Sequence, residues 1–323
     1  MPYVGSLESF LQRQFGEFFA QKVRLIATYE VRLVSLNEVL VMINLKTLGL
    51  GFILGSVGVV TTSSAATSLE QLWLTEGVSV PESVLVYRNG KTNFLMVSQI
   101  DGESNTKDGK GGIAKMSLDG ALDDVNWVTG LHAPKGMAHF GGKLYVADVD
   151  ELVVINIKSA EIEKKIAVPG AIFLNDVTVD SKGTVYVSDM KTGKIHRYAN
   201  SALSDYVTKL ENVNGVKAVG SNVVAGAGKH LYLIDSNKNR LDLASGFAQG
   251  IDGVEPINKG DFLVSCWAGL IYYVHSSGKI ELLLDSQKEG INTADIGFDS
   301  VTQTLYVPNF LKNSVTAYKV KSN

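Results

Sequence analysis

Four side chains that carry oxygen ligands recur in this chain at one position of a long repeat: Glu82, Asn175, Asn214 and Asp252. Lys135 and Ala294 hold the same position in the two remaining units, so the successive spacings are 53, 40, 39, 38 and 42 residues. Carboxylate and amide oxygens are hard donors that suit calcium, magnesium or manganese, and zinc less naturally. Taken singly the residues mean little, because Asn214-Gly215 and Asp252-Gly253 are ordinary turn dipeptides and Asn175-Asp176 passes for a loop. Their shared frame is what makes them candidates for one site. Lys135 is the odd member, since an ammonium near a divalent ion is repelled unless it pairs with an acid or with an anionic substrate. Asp176 and Asp295 stand one place further along the frame. They either tune the site or satisfy turn amides.

The elements that must position this column are short strands. From residue 68 onward there is little amphipathic-helix periodicity, and β-branched and aromatic runs alternate with glycine, asparagine and aspartate turn signals. The runs align with one another: Lys143-Leu-Tyr-Val-Ala-Asp148, Thr184-Val-Tyr-Val-Ser-Asp189, Asp261-Phe-Leu-Val-Ser265 and Thr304-Leu-Tyr-Val-Pro308. Each is followed by a second strand, as in Gly193-Lys-Ile-His-Arg-Tyr198 and Gly269-Leu-Ile-Tyr-Tyr-Val274. Units of about 40 residues with four short strands each are the signature of propeller blades. The expected fold is therefore all-β, a six-bladed β-propeller over residues 67–323. A pair of β-sandwiches fits the regular period less well. The candidate column then begins the innermost strand of each blade, where residues far apart in sequence converge on the channel. The polar stretch 101–112 reads as an insertion in the first blade, and the strand-like stretch 69–73 can complete the last blade and close the ring. His132, in His132-Ala-Pro-Lys135, is a candidate acid, base or substrate contact at the channel mouth, against the commoner structural role of a single histidine.

On these residues the chain resembles the gluconolactonase/senescence-marker-protein (regucalcin-like) family. The resemblance runs from about residue 80 to 320 and rests on three segments. They are Asn175-Asp176-Val-Thr-Val-Asp180 with Val185-Tyr-Val-Ser-Asp189, Asn214-Gly215-Val216, and Asp252-Gly253-Val254 with Val264-Ser-Cys-Trp267. It implies Glu82, Asn214 and Asp252 as ligands of one divalent metal ion, calcium first, with Asn175 as a further ligand or a substrate contact. Lys135 and His132 join Asn175 as candidate substrate contacts. The implied activity is metal-assisted hydrolysis of a lactone or related small ester, with Asp252 positioning or deprotonating the attacking water. Around Glu82 the sequence departs from the family, because Val84 and Val86 stand where a proline and an aromatic residue are usual. A non-enzymatic propeller with a structural ion, and a relative of strictosidine synthase or paraoxonase, remain open readings.

Bulk properties narrow the partners. A formal net charge of -3 with no basic stripe excludes a phosphate-backbone partner, so a small molecule is expected and nucleic acid is not. The single cysteine, Cys266, excludes an intramolecular disulfide and a multi-cysteine zinc site. The apolar run 48–60 follows Met42 and Lys46 and precedes Thr61-Thr62-Ser63-Ser64-Ala65-Ala66, which is the layout of a secretory signal peptide. Export, periplasmic or secreted, is expected, with 42–66 the signal and 1–41 an unusual or non-native extension; no membrane association is expected after cleavage. Gly226-Ala-Gly228-Lys229 lacks the earlier glycine and the hydroxyl residue of a phosphate loop, and Asp101-Gly-Glu-Ser-Asn105 lacks the glycine and glutamate of a helix-loop-helix calcium loop.

Overall fold

The computed structural model describes residues 67–321, apart from Lys91 and Lys259. The expected signal segment 42–66 and extension 1–41 lie outside the described residues. Among the described residues there are 24 strands and one short 3-10 turn, Phe310–Lys312, so no helix is long and apolar enough to cross a membrane.

The strands form six four-stranded antiparallel sheets, five of them taken in sequence order from inside to outside. Blades 1 to 5 span 81–131, 134–167, 174–207, 213–245 and 254–285. Blade 6 takes three strands from 297–321 and its outermost strand, Ser68–Glu76, from the other end of the domain. Ser68–Glu76 pairs with Ser314–Lys321, so the ring is closed by backbone hydrogen bonds between the two ends of the domain, with Ser68–Glu76 as the outer edge of blade 6. The insertion 101–110 joins the second and third strands of blade 1 and is largely exposed.

Both faces of the middle strands are buried, which explains why they read as nearly continuous apolar runs. Leu95, Met96 and Val97 are successive residues with no exposed area at all. Six main apolar clusters fill the six junctions between neighbouring blades. One packs Tyr87, Phe94 and Met96 of blade 1 on Leu144, Val146 and Ile155 of blade 2, and another packs Val84 and Val97 on Tyr306 and Val315 across the closing seam. The core is thus a ring of interfaces, each side chain contributing roughly 1.5–3 kcal/mol on burial. Cys266 ends the second strand of blade 5, where it is a free, buried thiol.

The innermost strands share an irregularity that matters for function. In blades 1 to 4 their pairing with the second strand slips between Pro81 and Val84, Pro134 and Met137, Leu174 and Val177, and Val213 and Val216. A bulge leaves its residues out of the ladder and re-aims their side chains. The residues so released are Glu82-Ser83, Lys135-Gly136, Asn175-Asp176 and Asn214-Gly215. Serines of the second strand take up amides the bulge frees: Ser98 Oγ accepts from Ser83 N at 2.9 Å, Ser188 Oγ from Asp176 N at 2.9 Å, and Ser265 Oγ from Gly253 N at 2.8 Å in blade 5. Close approach of the bulges around the axis needs small residues. A Cβ on Gly215 would lie 2.1 Å from the Asp252 carbonyl oxygen.

Candidate metal centre

Glu82, Lys135, Asn175, Asn214 and Asp252 line one cavity of about 240 Å³ at the end of the channel where the innermost strands begin. Glu82, Lys135, Asn175 and Asp252 are buried, and Asn214 is partly so. Asp252 and Ala294 precede the strands Val254–Asn258 and Gly297–Asp299 rather than opening them, yet Asp252 still reaches the shared cavity. Asn214 Nδ2 donates to Asp252 Oδ1 at 2.8 Å, which turns the amide oxygen of Asn214 the other way. That Asn214 Oδ1 and the Oε2 of Glu82 are buried without any hydrogen-bond partner. Orphaned buried oxygens are costly, and two of them on one cavity beside the Asp252 carboxylate are a donor set in want of a cation. The residues therefore fit an oxygen-ligated divalent ion held by Glu82, Asn214 and Asp252, with Asn175 adjacent.

The electrostatics point the same way. Burial first, then the field of Asp295, pushes the Asp252 carboxyl up to about 8, although the Asn214 amide opposes the shift. Burial, followed by repulsion from Asp252 and Asp295, holds Glu82 well above the usual carboxylate range, with Lys135 pulling against it. Asp295 is raised to about 7 and Asp176 is raised well above its ordinary value, again chiefly by burial. Four carboxyls in one channel prefer to keep protons unless a cation replaces them.

Asp176 satisfies backbone amides, whereas Asp295 accepts from a hydroxyl; each bridges neighbouring blades. Asp176 accepts from the amides of Val216 and Val177, each at 2.6 Å, and so ties blade 3 to blade 4. Asp295 accepts from Ser83 Oγ at 2.6 Å across the closing seam. Both also act on the ligand set through their fields. In the next layer of the channel Lys217 and Glu255 form an ion pair at 2.6 Å.

Lys135 is 1% exposed; its Nζ donates to the Ala133 carbonyl at 3.0 Å and lies 4.5 Å from the centre of the Phe173 ring. Burial lowers its pKa to about 8 against the opposing pull of Glu82 and Asp148. His132 does not line the cavity. Its Nδ1 accepts from Gly109 N at 3.2 Å, and its ring stands within 4.8 Å of carboxylate oxygens of Asp148 and Glu151. Asp148 spends both oxygens on backbone amides, accepting from Ala133 N at 2.7 Å and from His132 N at 2.9 Å. That grouping anchors the loop before Lys135, as Asp189 anchors Ile172 and Phe173 before Asn175 at 2.9 and 3.2 Å.

Sequence reasoning passed over the walls of the cavity: Ile100, Phe173, Met190, Trp267 and Phe310, with Ser104 supplied by the insertion. Four of these apolar residues follow directly on the last residue of a second strand (Gln99, Asp189, Cys266, Asn309). Extending the repeat alignment by one position would have found them.

No protein-family model matches the chain, and no curated protein matches it in sequence. Solved structures match its fold. Selenomethionine-substituted virginiamycin B lyase from Staphylococcus aureus aligns with a TM-score of 0.59 at 13% identity, over 79% of this chain and 100% of that one. A catalytically inactive variant of virginiamycin B lyase from the same organism, with quinupristin, gives 0.56 at 14% over the same shares. A candidate gluconolactonase aligns with a TM-score of 0.59 at 17% identity, over 80% of this chain and 93% of that one. At such identities the likeness is one of fold.

Proposed function

We propose that this propeller is a divalent-metal-dependent hydrolase that opens a lactone or a related small ester, acting outside the cytoplasm. The observation that carries the reading is the pair of unpartnered buried oxygens, Glu82 Oε2 and Asn214 Oδ1, on one cavity with the Asp252 carboxylate. When bound, a calcium, magnesium, manganese or zinc ion would supply a Lewis acid for the ester carbonyl oxygen.

The chain's own residues do the rest. Asp252 takes a proton from the attacking water, whose oxygen bonds to the carbonyl carbon as the ester C–O bond breaks; that proton then passes to the departing alkoxide, giving a hydroxy acid. The Asn214 amide fixes the orientation of the Asp252 carboxylate. Asn175 and Lys135 contact the substrate, Lys135 through the positive charge it holds over Phe173.

The test is turnover of a lactone panel by the 67–323 protein, with and without chelator, beside Asp252→Ala. Metal-restored hydrolysis that is absent in the variant supports the reading. Ion binding with no turnover makes the channel a binding site with a structural ion. Lyases are among the similar folds, and the products separate the two chemistries. Hydrolysis adds the mass of water, whereas ring-opening elimination leaves the mass unchanged.

A further inference from the structure

The cavity walls carry information about substrate that the ligand set does not. Apart from the proposed ligands, the 240 Å³ lobe offers two polar side chains, Ser104 and Lys135, and its other walls are Ile100, Phe173, Met190, Trp267 and Phe310. Trp267 is 43% exposed although it stacks edge-to-face on Phe310 at 5.6 Å, so a broad apolar face is presented beside Asn214 and Asp252. Trp267 and Met190 also border a second lobe of about 420 Å³, which shares Asn214 and Asp252 and adds both polar walls (Asn212, Lys229, Gln249) and apolar ones (Ile251, Ala268). The candidate metal centre thus lies where two lobes meet, the first of them walled by five large apolar side chains.

We infer that the site takes an amphipathic lactone or ester, with an aryl or alkyl substituent in the apolar lobe against Trp267, rather than a polyhydroxylated sugar lactone. The inference rests on the reading of this cavity as the substrate pocket. A sugar ring would set several hydroxyls against carbon walls, and each hydroxyl stripped of water without a partner weakens binding by about tenfold or more. A phenyl or hexyl group gains from the same walls by burial. Trp267 is the specificity-determining residue because its large, half-exposed ring lines this lobe beside Asn214 and Asp252.

The experiment measures binding, so it does not depend on turnover. A non-hydrolysable phenyl- or hexyl-substituted δ-lactam and glucono-δ-lactam are titrated calorimetrically into the calcium-loaded protein, into Trp267→Ala and into Trp267→Phe. The expected result is binding of the apolar lactam at least tenfold tighter than the sugar lactam. A loss of about tenfold in Trp267→Ala, a near-complete rescue in Trp267→Phe and unchanged calcium affinity in both are expected with it. Equal or tighter binding of the sugar lactam, no binding of the apolar lactam, or indifference to Trp267→Ala overturns the inference. If the apolar lactam binds through Trp267 while no lactone is hydrolysed, the hydrolase reading falls and the specificity of the cavity stands.

Discussion

Replacing Asp252 by asparagine removes a charge while keeping the shape of the side chain, and the stability it adds should shrink when the ion binds. In the metal-free protein the Asp252 carboxyl is raised to about 8. In the unfolded chain it is near 3.9. A carboxylate raised on folding stabilises the fold fully below the unfolded value and progressively less as pH rises through the folded one. Loss therefore begins above about pH 4 and is complete near pH 8. At pH 7 the difference costs the metal-free fold on the order of 4 kcal/mol. Repulsion from Asp252 is the second cause of the raised Glu82 carboxyl, so the substitution relieves that group too. At pH 7.5 the difference is about 5 kcal/mol, and at about 2–4 °C per kcal/mol metal-free Asp252→Asn should melt roughly 10–20 °C above the metal-free parent. The gap should close at pH 4. Calcium at about 100 times its Kd should raise the parent by about 3 kcal/mol and the variant by far less. Differential scanning calorimetry in chelator and in calcium, at both pH values, reads all four conditions. A variant that melts below the parent without metal at pH 7.5, or a gap that does not depend on pH, would refute the reasoning that charge at this position opposes folding until an ion offsets it.

Two further perturbations probe the surroundings. Lys135→Met removes a buried cation whose field reaches Glu82, so calcium should bind about tenfold tighter by isothermal titration. Weaker binding would mean that the lysine acts mainly by keeping Glu82 ionised. Gly215→Ala forces a Cβ to 2.1 Å from the Asp252 carbonyl, and should cost about 1–3 kcal/mol in urea unfolding and abolish the calcium-dependent rise in Tm; an unchanged urea midpoint would contradict the close packing of blades 4 and 5.

Much of the architecture was legible because a propeller repeats. The frame Glu82, Lys135, Asn175, Asn214, Asp252 and Ala294 could be written down without coordinates, since equivalent positions of successive blades must converge on one axis. The closing strand was legible too, as the stretch 69–73 had no partner until the last blade needed one. The walls Met190, Trp267 and Phe310 were in principle readable from the same alignment, one place beyond each second strand. His132 shows the limit of the method. Its position beside Lys135 suggested the channel, but Asp148 holds the amides of His132 and Ala133, and its ring accepts from Gly109 instead.

The sequence by itself thus determined the all-β repeat, the blade count and the column of oxygen-bearing side chains, because these follow from periodicity and local turn chemistry. Tertiary structure alone decided which of those oxygens are left without partners, how burial and mutual repulsion raise the carboxyls of Glu82, Asp176, Asp252 and Asp295, and that carbon walls the cavity on one side. Solvation and Coulomb fields depend on distances between residues up to more than two hundred positions apart, as Ser83 and Asp295 are, and those distances exist only once the ring has closed.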